Sequence, residues 1–216
     1  MVIDLTGMEL ANASLLDEGP AAARLIASRR SIEIIPRELR KNLTPNLAGE
    51  AVKTVIRRSI VQANEEIMAM GALDKDMKNM GTTVVLAVWR KGAELFVAGV
   101  GDSRAYLVRN KKIQQLTTDH SLAQALVEAK TISAAEAKEH RFKNVLWKYL
   151  GSKEVGEGPD VAVVPLHGGD RLLLCTDGLY DSVSVERMAA VLSTMNAKVA
   201  AETLVQEAFE NGSKDN

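Results

Sequence analysis

Residues 83–100 read TVVLAVWRKGAELFVAGV, and this stretch decides the fold. Two runs rich in β-branched and aromatic residues, 83–89 and 94–100, flank the turn residues Arg90, Lys91 and Gly92, which is the pattern of a β-hairpin. The runs 105–108 and 112–116 repeat this pattern across Asn110. Strands that follow one another at such short spacing predict an antiparallel meander.

Helical patterns lie on both sides of these strands. Apolar residues recur at helical spacing over 51–70, which predicts an amphipathic helix that stops at Gly71. A shorter helix is predicted over 18–31, and the stretch 32–49, which contains Pro36 and Pro45, is predicted to be a connection. Further helices are predicted over 119–129, 134–139, 144–150, 185–192 and 198–210, with strands at 160–166 and 171–175. This order indicates an α+β fold, with sheet packed on sheet and helices outside.

Composition limits the class of protein. The chain has 216 residues, of which 46% are hydrophobic, and a net charge of -1, which fits one globular domain with no basic surface for nucleic acid. Its apolar runs are far shorter than the roughly 20 residues that span a bilayer, so we expect no membrane association. The single cysteine, Cys175, rules out an internal disulfide and suits a reducing compartment. We therefore expect a cytoplasmic monomer.

Three aspartates lie where a strand or helix ends. Asp102 stands in VGDSR at 100–104, Asp177 in LLLCTDG at 172–178, and Asp215 in the closing GSKDN at 212–216. Each alone is typical of an ordinary turn, because Asp and Gly favour turns. Carboxylates raised on strand ends beside glycines are also the usual ligands of a hard divalent cation. Together they predict a metal site.

These aspartates belong to an ordered series of motifs. The series reads MGTT at 80–83, VGDSRAY at 100–106, LTTDHS at 116–121, NVL at 144–146, GDRLLLCTDGL at 169–179 and GSKDN at 212–216. In this series the chain resembles the metal-dependent protein phosphatases of type 2C, in their bacterial form. Helix 51–70, with Ala63, Asn64 and Glu65, also resembles the helix that precedes MGTT in that family.

The resemblance implies a four-layer αββα sandwich, in which two antiparallel sheets are flanked by helices. It also implies a flap inserted at about 123–150, beside a cleft that holds two Mn²⁺ or Mg²⁺ ions. Residues 1–216 would form a single domain of this type, incomplete at both ends and lacking a strand at each. The N-terminal Arg and Asn-Glu-Asp motif of the family has no match in residues 1–40.

The resemblance also implies roles for particular residues. Asp177 would be the carboxylate shared at the metal centre, Asp215 would be a second ligand, and Asp102 would join Asp177 in holding a third, weaker ion. Asp4 corresponds to the position of a bridging ligand in the family. The implied activity is hydrolysis of phosphoserine and phosphothreonine in proteins, opposing a Ser/Thr kinase. The alternative is a pseudophosphatase, a module that binds a phosphoprotein or a kinase without hydrolysing it.

Other polar residues receive structural interpretations. His120 is a candidate acid or metal ligand, but its place before a predicted helix favours a role in capping or orienting that helix. Arg104 is expected to pair with Asp119 or Asp102. Cys175 follows three leucines on a buried strand and is interpreted as a core residue, not a nucleophile.

Overall fold

The computed structural model describes residues 2–3, 10–13, 21–90 and 94–213. Its elements in chain order are β1 (Val2–Ile3), β2 (Leu10–Ala13), α1 (Ala21–Asn42), α2 (Gly49–Leu73), β3 (Val84–Arg90), β4 (Glu94–Val100), β5 (Arg104–Arg109), β6 (Lys112–Gln115), α3 (Leu122–Glu128), α4 (Ala134–Lys138), β7 (Val161–Pro165), β8 (Arg171–Cys175), α5 (Asp177–Tyr180), α6 (Val185–Thr194) and α7 (Ala197–Glu210).

The described strands form two antiparallel sheets of four strands each. One sheet has the order β1-β8-β5-β6 and the other has the order β2-β3-β4-β7. Alternate residues of β4 face opposite sides, as the period of a strand requires. Phe96 and Ala98 pack towards α1 and α2, whereas Leu95 and Val97 pack between the sheets.

A third apolar cluster completes the layering. It joins β5 and β8 of the other sheet to α6 and α7 through residues such as Tyr106, Leu173, Met188 and Leu204. The molecule therefore has helices outside two facing sheets, and the predicted α+β sandwich is confirmed. Among the residues described, none of the helices combines the length and the apolar character needed to span a bilayer.

The predicted meander is only half right. The hairpins β3–β4 and β5–β6 both form, but they belong to different sheets. Between Val100 and Arg104 the chain passes from one sheet to the other, and β5 pairs with β8 instead of β4. Hairpin spacing reports which strands are joined by short turns, but it does not report a change of sheet between them.

Helix α1 corrects the predicted connection at 32–49. The helix runs on to Asn42 with Pro36 in its interior. A proline there costs about 3 kcal/mol, because it removes a hydrogen bond and crowds the preceding turn. The side chains of Ile34, Ile35 and Leu39 are almost fully buried, and burial of such a side chain contributes about 1.5–3 kcal/mol each. Packing therefore outweighs the cost of the proline.

Two further boundaries differ from the prediction. Helix α2 continues past Gly71 to Leu73, and a Cβ at Gly71 would lie 3.0 Å from the carbonyl oxygen of Met77, so this glycine permits a close approach and does not end the helix. Residues 144–150 are not helical. Leu146 and Leu150 instead form isolated antiparallel bridges with Ser121 and Thr82.

These two bridges anchor the predicted flap. The first is closed by Leu122 N–H to Val145 O and Trp147 N–H to His120 O, and the second by reciprocal bonds between Thr82 and Leu150. The flap contains α3 and α4, both of which were predicted. The first bridge therefore joins the two ends of the flap to each other, and the second ties its last residue to the segment that leads into β3.

Asn64 of α2 adds a third anchor. Its Oδ1 accepts from the Gly151 amide at 2.6 Å, and its Nδ2 donates to the Ser152 carbonyl at 3.1 Å. The side chain is buried, so both bonds are shielded from water. The chain leaving the flap is thus held against α2.

The remaining predicted elements are present with ends shifted by a few residues. Strands β1 and β2 were not predicted, because two and four residues are too short to show a strand period. Asp4 and Asp215 lie outside the described residues, as do Lys91 and Gly92 of the predicted hairpin turn.

We expect Gly151→Ala to destabilise the fold by roughly 2–5 kcal/mol, because strain and overpacking each cost about 1–3 kcal/mol. Gly151 has φ of +103°, and an added Cβ would overlap the carbonyl oxygen of Met80. Urea unfolding followed by circular dichroism measures the change. The control is Gly168→Ala, where an added Cβ has nothing within 4 Å; we expect a change within about 0.5 kcal/mol. Equal stability of the two variants would contradict this account.

Candidate metal centre

The carboxylate of Asp177 lies where β8 ends. Residues 172–175 of that strand are buried, and after Thr176 the chain turns directly into α5. The Gly178 amide donates to Oδ1 of Asp177 at 3.0 Å, and the Asp181 amide donates to the Asp177 carbonyl at 2.9 Å. These bonds hold the carboxylate at one end of the sandwich, where the motif predicted it.

Asp102 occupies the turn between β4 and β5. Gly101 before it has φ of +101°, and a Cβ there would overlap the side chain of Thr83, so the turn requires glycine. On the other side of Asp102, the hydroxyl of Ser103 lies 2.8 Å from that of Thr83. Thr83 therefore supports the turn on both sides of the aspartate.

Tyr180 connects the two carboxylate-bearing segments. It is in α5, the helix that begins with Asp177, and its hydroxyl donates to the Asp102 carbonyl at 3.1 Å. Burial, reinforced by the charge of Asp102, raises the pKa of Tyr180 far above its ordinary range, so the phenol remains a donor. The structure thus brings Asp102 and Asp177 together.

The electrostatics of this pair fit a bound cation. Burial raises the pKa of Asp102 from its ordinary 3.8 to about 7, and repulsion from Asp177 and then from Asp119 adds to the effect. Two carboxylates that resist joint ionisation are stabilised when a divalent cation lies between them, because the cation favours both charged forms. Oxygen ligands of this kind suit Mg²⁺ and Mn²⁺.

Arg104 supports the turn from its other side. Its guanidinium makes a two-pronged ion pair with Asp119, with Nε and Nη2 at 3.0 and 2.6 Å from Oδ2, and it stacks over the Tyr180 ring at 3.5 Å. The predicted pairing of Arg104 with Asp119 is confirmed. Planar stacking and two-pronged pairing both require a guanidinium, so lysine is not equivalent here.

Of the four predicted ligands, the structure describes Asp102 and Asp177. Among the described residues, no group of three or more His, Cys, Asp or Glu side chains is close enough to hold a metal ion. The roles assigned to Asp215 and Asp4 therefore remain predictions. Tyr180 and Asp119 were not predicted as parts of the site. Tyr180 contacts Asp102 only in the folded structure, and no short sequence motif predicts such a contact. The pairing of Asp119 with Arg104 was predicted, but its place beside Asp102 was not.

His120 does not cap the helix that follows it. The N-cap of α3 is Ser121, whose hydroxyl accepts from the Gln124 amide. The imidazole of His120 instead contacts the backbone of Gly101. Cys175 is buried, and burial raises the pKa of its thiol to about 12, so the interpretation as a core residue is confirmed.

The flap also contacts α5. Lys143 Nζ lies 3.0 Å from Oδ2 of Asp181, the residue that caps the C-terminus of α5. Both side chains are exposed, so this pair is worth less than about 1 kcal/mol. It nevertheless shows that the flap lies beside the helix that begins with Asp177.

Comparison with known proteins places this geometry among phosphatases. A family model described as protein phosphatase 2C matches residues 26–216. Over 192 residues the chain is 35% identical to the serine/threonine phosphatase stp of Listeria monocytogenes, an alignment that covers 88% of this chain and 75% of that protein.

Solved structures show the same fold. The crystal structure of the Mycobacterium tuberculosis serine/threonine phosphatase PstP/Ppp superposes with a TM-score of 0.85 and 27% identity, covering 100% of this chain and 87% of that one. The catalytic domain of PstP in complex with two manganese ions superposes with a TM-score of 0.75 and 26% identity, covering 97% of this chain and 96% of that one.

We expect the metal-free protein to lose stability as the pH rises. Because the folded-state pKa of Asp102 is about 7 and its ordinary value is 3.8, the folded state holds a proton that the unfolded state has released. That contribution is complete below about pH 4 and is lost as the pH rises through 7, amounting to roughly 2–4 kcal/mol. Urea unfolding in EDTA at pH 4.5–7.5 measures it. Asp102→Asn should flatten the curve, and an unchanged slope would contradict the cause given.

We expect Arg104→Lys to weaken both the fold and the metal site. Loss of the two-pronged bond to Asp119 and of the stacking on Tyr180 should cost roughly 1–3 kcal/mol, and the stabilisation produced by Mn²⁺ in a thermal shift should shrink. The control is Arg109→Lys, because Arg109 makes the same kind of pair with Asp170 at the other end of β5. That variant should lose stability but keep the Mn²⁺ shift; equal Mn²⁺ shifts in both variants would refute a role for Arg104 at the site.

Proposed function

This chain belongs to the protein phosphatase 2C family, and on that basis we propose that it is a metal-dependent phosphatase of phosphoserine and phosphothreonine in proteins. The observation that carries the proposal is the pairing of Asp102 and Asp177 at the end of the sandwich. Burial and repulsion from Asp177 raise the pKa of Asp102 to about 7, and a raised carboxylate pKa of this kind supports a functional site at the pair.

Asp177 would help hold the catalytic pair of divalent cations, and Asp102 would join Asp177 in holding a third, weaker ion. The catalytic pair would polarise a water molecule and neutralise charge on the phosphoryl oxygens during in-line displacement. Asp215 and Asp4 complete the proposed ligand set. We propose Mn²⁺ or Mg²⁺ as the ion, since carboxylates and water suit both.

The protein's own contribution is to hold these carboxylates in place before any ion arrives. Tyr180 fixes the backbone of Asp102, and the Gly178 amide fixes the carboxylate of Asp177. Ligands held in this way lose little freedom on binding, which favours a compact cation site.

The partner implied by this activity is a phosphorylated protein, with a Ser/Thr kinase as the opposing enzyme. We propose that residues 1–216 act as one domain and as a monomer, with the flap at about 123–150 bordering the entrance for the substrate. A cytoplasmic location is part of the same proposal, because the only cysteine, Cys175, is a buried free thiol. The relatives compared above are named as phosphatases, and no contact among the described residues favours the pseudophosphatase alternative.

We expect Mn²⁺-dependent release of phosphate from a phosphothreonine peptide and from p-nitrophenyl phosphate, and loss of both with EDTA. Asp177→Ala should lower kcat/KM roughly 100-fold or more, equivalent to about 3 kcal/mol of transition-state stabilisation. The control is Asp76→Ala, which removes an exposed carboxylate from the turn after α2 and should leave kcat/KM near the wild-type value. An inactive wild-type protein in millimolar Mn²⁺, or an active Asp177→Ala variant, would overturn the proposal.

A further inference from the structure

His120 bonds the backbone of Gly101, the residue before Asp102. Its backbone N–H donates to the Gly101 carbonyl at 2.9 Å. Its ring Nδ1 lies 3.1 Å from the Gly101 amide, which donates to it. Both polar groups of the residue before Asp102 are therefore bonded to one histidine.

Two contacts are open to the ring, because Nδ1 lies 3.1 Å from the Gly101 nitrogen and 3.2 Å from the Gly101 carbonyl oxygen. The carbonyl already accepts from the His120 backbone N–H, so we assign Nδ1 as the acceptor from the Gly101 amide, which places the ring proton on Nε2. Burial lowers the pKa of His120, and the ammonium of Lys148 acts in the same direction. The neutral ring that the hydrogen bond requires is also the form that the surroundings favour.

The position of Asp102 depends on this contact. Gly101 adopts φ of +101°, a conformation that persists only where surrounding groups hold it. Thr83 lies against the α-carbon of Gly101, and His120 binds its amide and its carbonyl. The direction in which the chain leaves Gly101 decides where the Asp102 carboxylate lies relative to Asp177.

The other side of His120 belongs to the flap. Its carbonyl accepts from the Trp147 amide at 3.0 Å, and the Trp147 indole meets its ring edge to face at 5.3 Å. The ring is thus held in one orientation between the returning segment of the flap and the Asp102 turn. A ligand-positioning group typically needs this kind of support from a second contact.

We propose that His120 is a positioning residue that sets the Asp102 carboxylate for cation binding through its Nδ1 bond to the Gly101 amide. This inference rests on the proposed function, because it presumes that Asp102 binds a cation. It assigns His120 no contact with the substrate or with the reacting atoms.

Two substitutions separate the hydrogen bond from the bulk of the ring. The side-chain amide of His120→Asn has its oxygen close to the place of Nδ1 and can accept from Gly101, whereas His120→Gln reaches the place of Nε2. The matched control is His140→Gln, because His140 Nδ1 also accepts a backbone amide, that of Phe142 at 3.2 Å, and its ring also meets an aromatic side chain.

The first measurement uses metal-free protein. Hydrogen exchange of the Gly101 amide, followed by NMR, should be roughly 10-fold faster in His120→Gln and near wild type in His120→Asn, because one hydrogen bond of about 1 kcal/mol protects it. Unchanged exchange in His120→Gln would overturn the proposed bond whatever the enzyme does. The His140→Gln variant should match wild type.

The second measurement is Mn²⁺ binding by titration calorimetry. His120→Gln should bind the Asp102-dependent ion roughly 10-fold more weakly, His120→Asn should lie within about 3-fold of wild type, about 0.7 kcal/mol or less, and His140→Gln should be unchanged. In the Asp102→Asn background, His120→Gln should cause no further loss. A further loss there, or a His120→Gln protein with wild-type Mn²⁺ affinity, would overturn the positioning role.

The outcomes distinguish this inference from the function on which it rests. If wild-type protein binds no Mn²⁺, the proposed function fails and the inference fails with it. If wild-type protein binds Mn²⁺ and hydrolyses phosphate, but the His120 variants lose only kcat at unchanged Mn²⁺ affinity, the function stands and His120 acts on the reaction directly instead of through Asp102.

Discussion

The arrangement of the site depends on the passage of the chain from one sheet to the other between Val100 and Arg104. A crossing this short leaves room for only a tight turn, which Gly101 makes with a positive φ against Thr83. The crossing places Asp102 at the end of the sandwich where β8 delivers Asp177. If the hairpins had stayed in one sheet, as their spacing suggested, the turn would lie at a sheet edge and the two carboxylates would not meet. Sheet topology and metal chemistry are therefore set by the same few residues.

A second consequence of this geometry is that the folded protein bears an electrostatic cost at the site. Asp102 is driven towards neutrality by burial and by Asp177, while Arg104, at the end of the same turn, pairs with Asp119 from a later segment and stacks on Tyr180. The Arg104–Asp119 pair lies beside the Asp102–Asp177 pair, and Tyr180 contacts both Arg104 and Asp102. Groups at functional sites are often held in states that the rest of the structure must offset. Here the stabilising Arg104–Asp119 pair lies next to Asp102, so the favourable and unfavourable electrostatic interactions occur in the same region.

Much of the fold could be predicted from sequence because long periodic segments such as 51–70 and 94–100 carry their own signal. Asp102 and Asp177 could be predicted because a glycine turn at a strand end is visible in one short motif. What could not be predicted depends on distant partners. Helix α1 continues through Pro36 because Ile34 and Leu39 pack into a core, and residues 144–150 are not helical because Leu146 and Leu150 bridge to Ser121 and Thr82. Likewise, Tyr180 bonds the backbone of Asp102, and the charge of Asp119 raises the pKa of Asp102. Both residues are distant in sequence, so the motif around Asp102 does not predict these interactions.

The double anchoring of the flap has a consequence for how such a protein diversifies. Paired hydrogen bonds close the insertion at Ser121 with Leu146 and again at Leu150 with Thr82, and Asn64 holds the chain just beyond. Helices α3 and α4 lie between these anchoring contacts. Lys143, in the same stretch, makes an exposed ion pair with Asp181 at the end of α5. The part between Ser121 and Leu146 is closed at its base by the paired bonds of that bridge, whereas Trp147 beyond it contacts His120 beside the Asp102 turn. Changes in length or surface between Ser121 and Leu146 are therefore expected to leave the contacts of Trp147 with His120 in place.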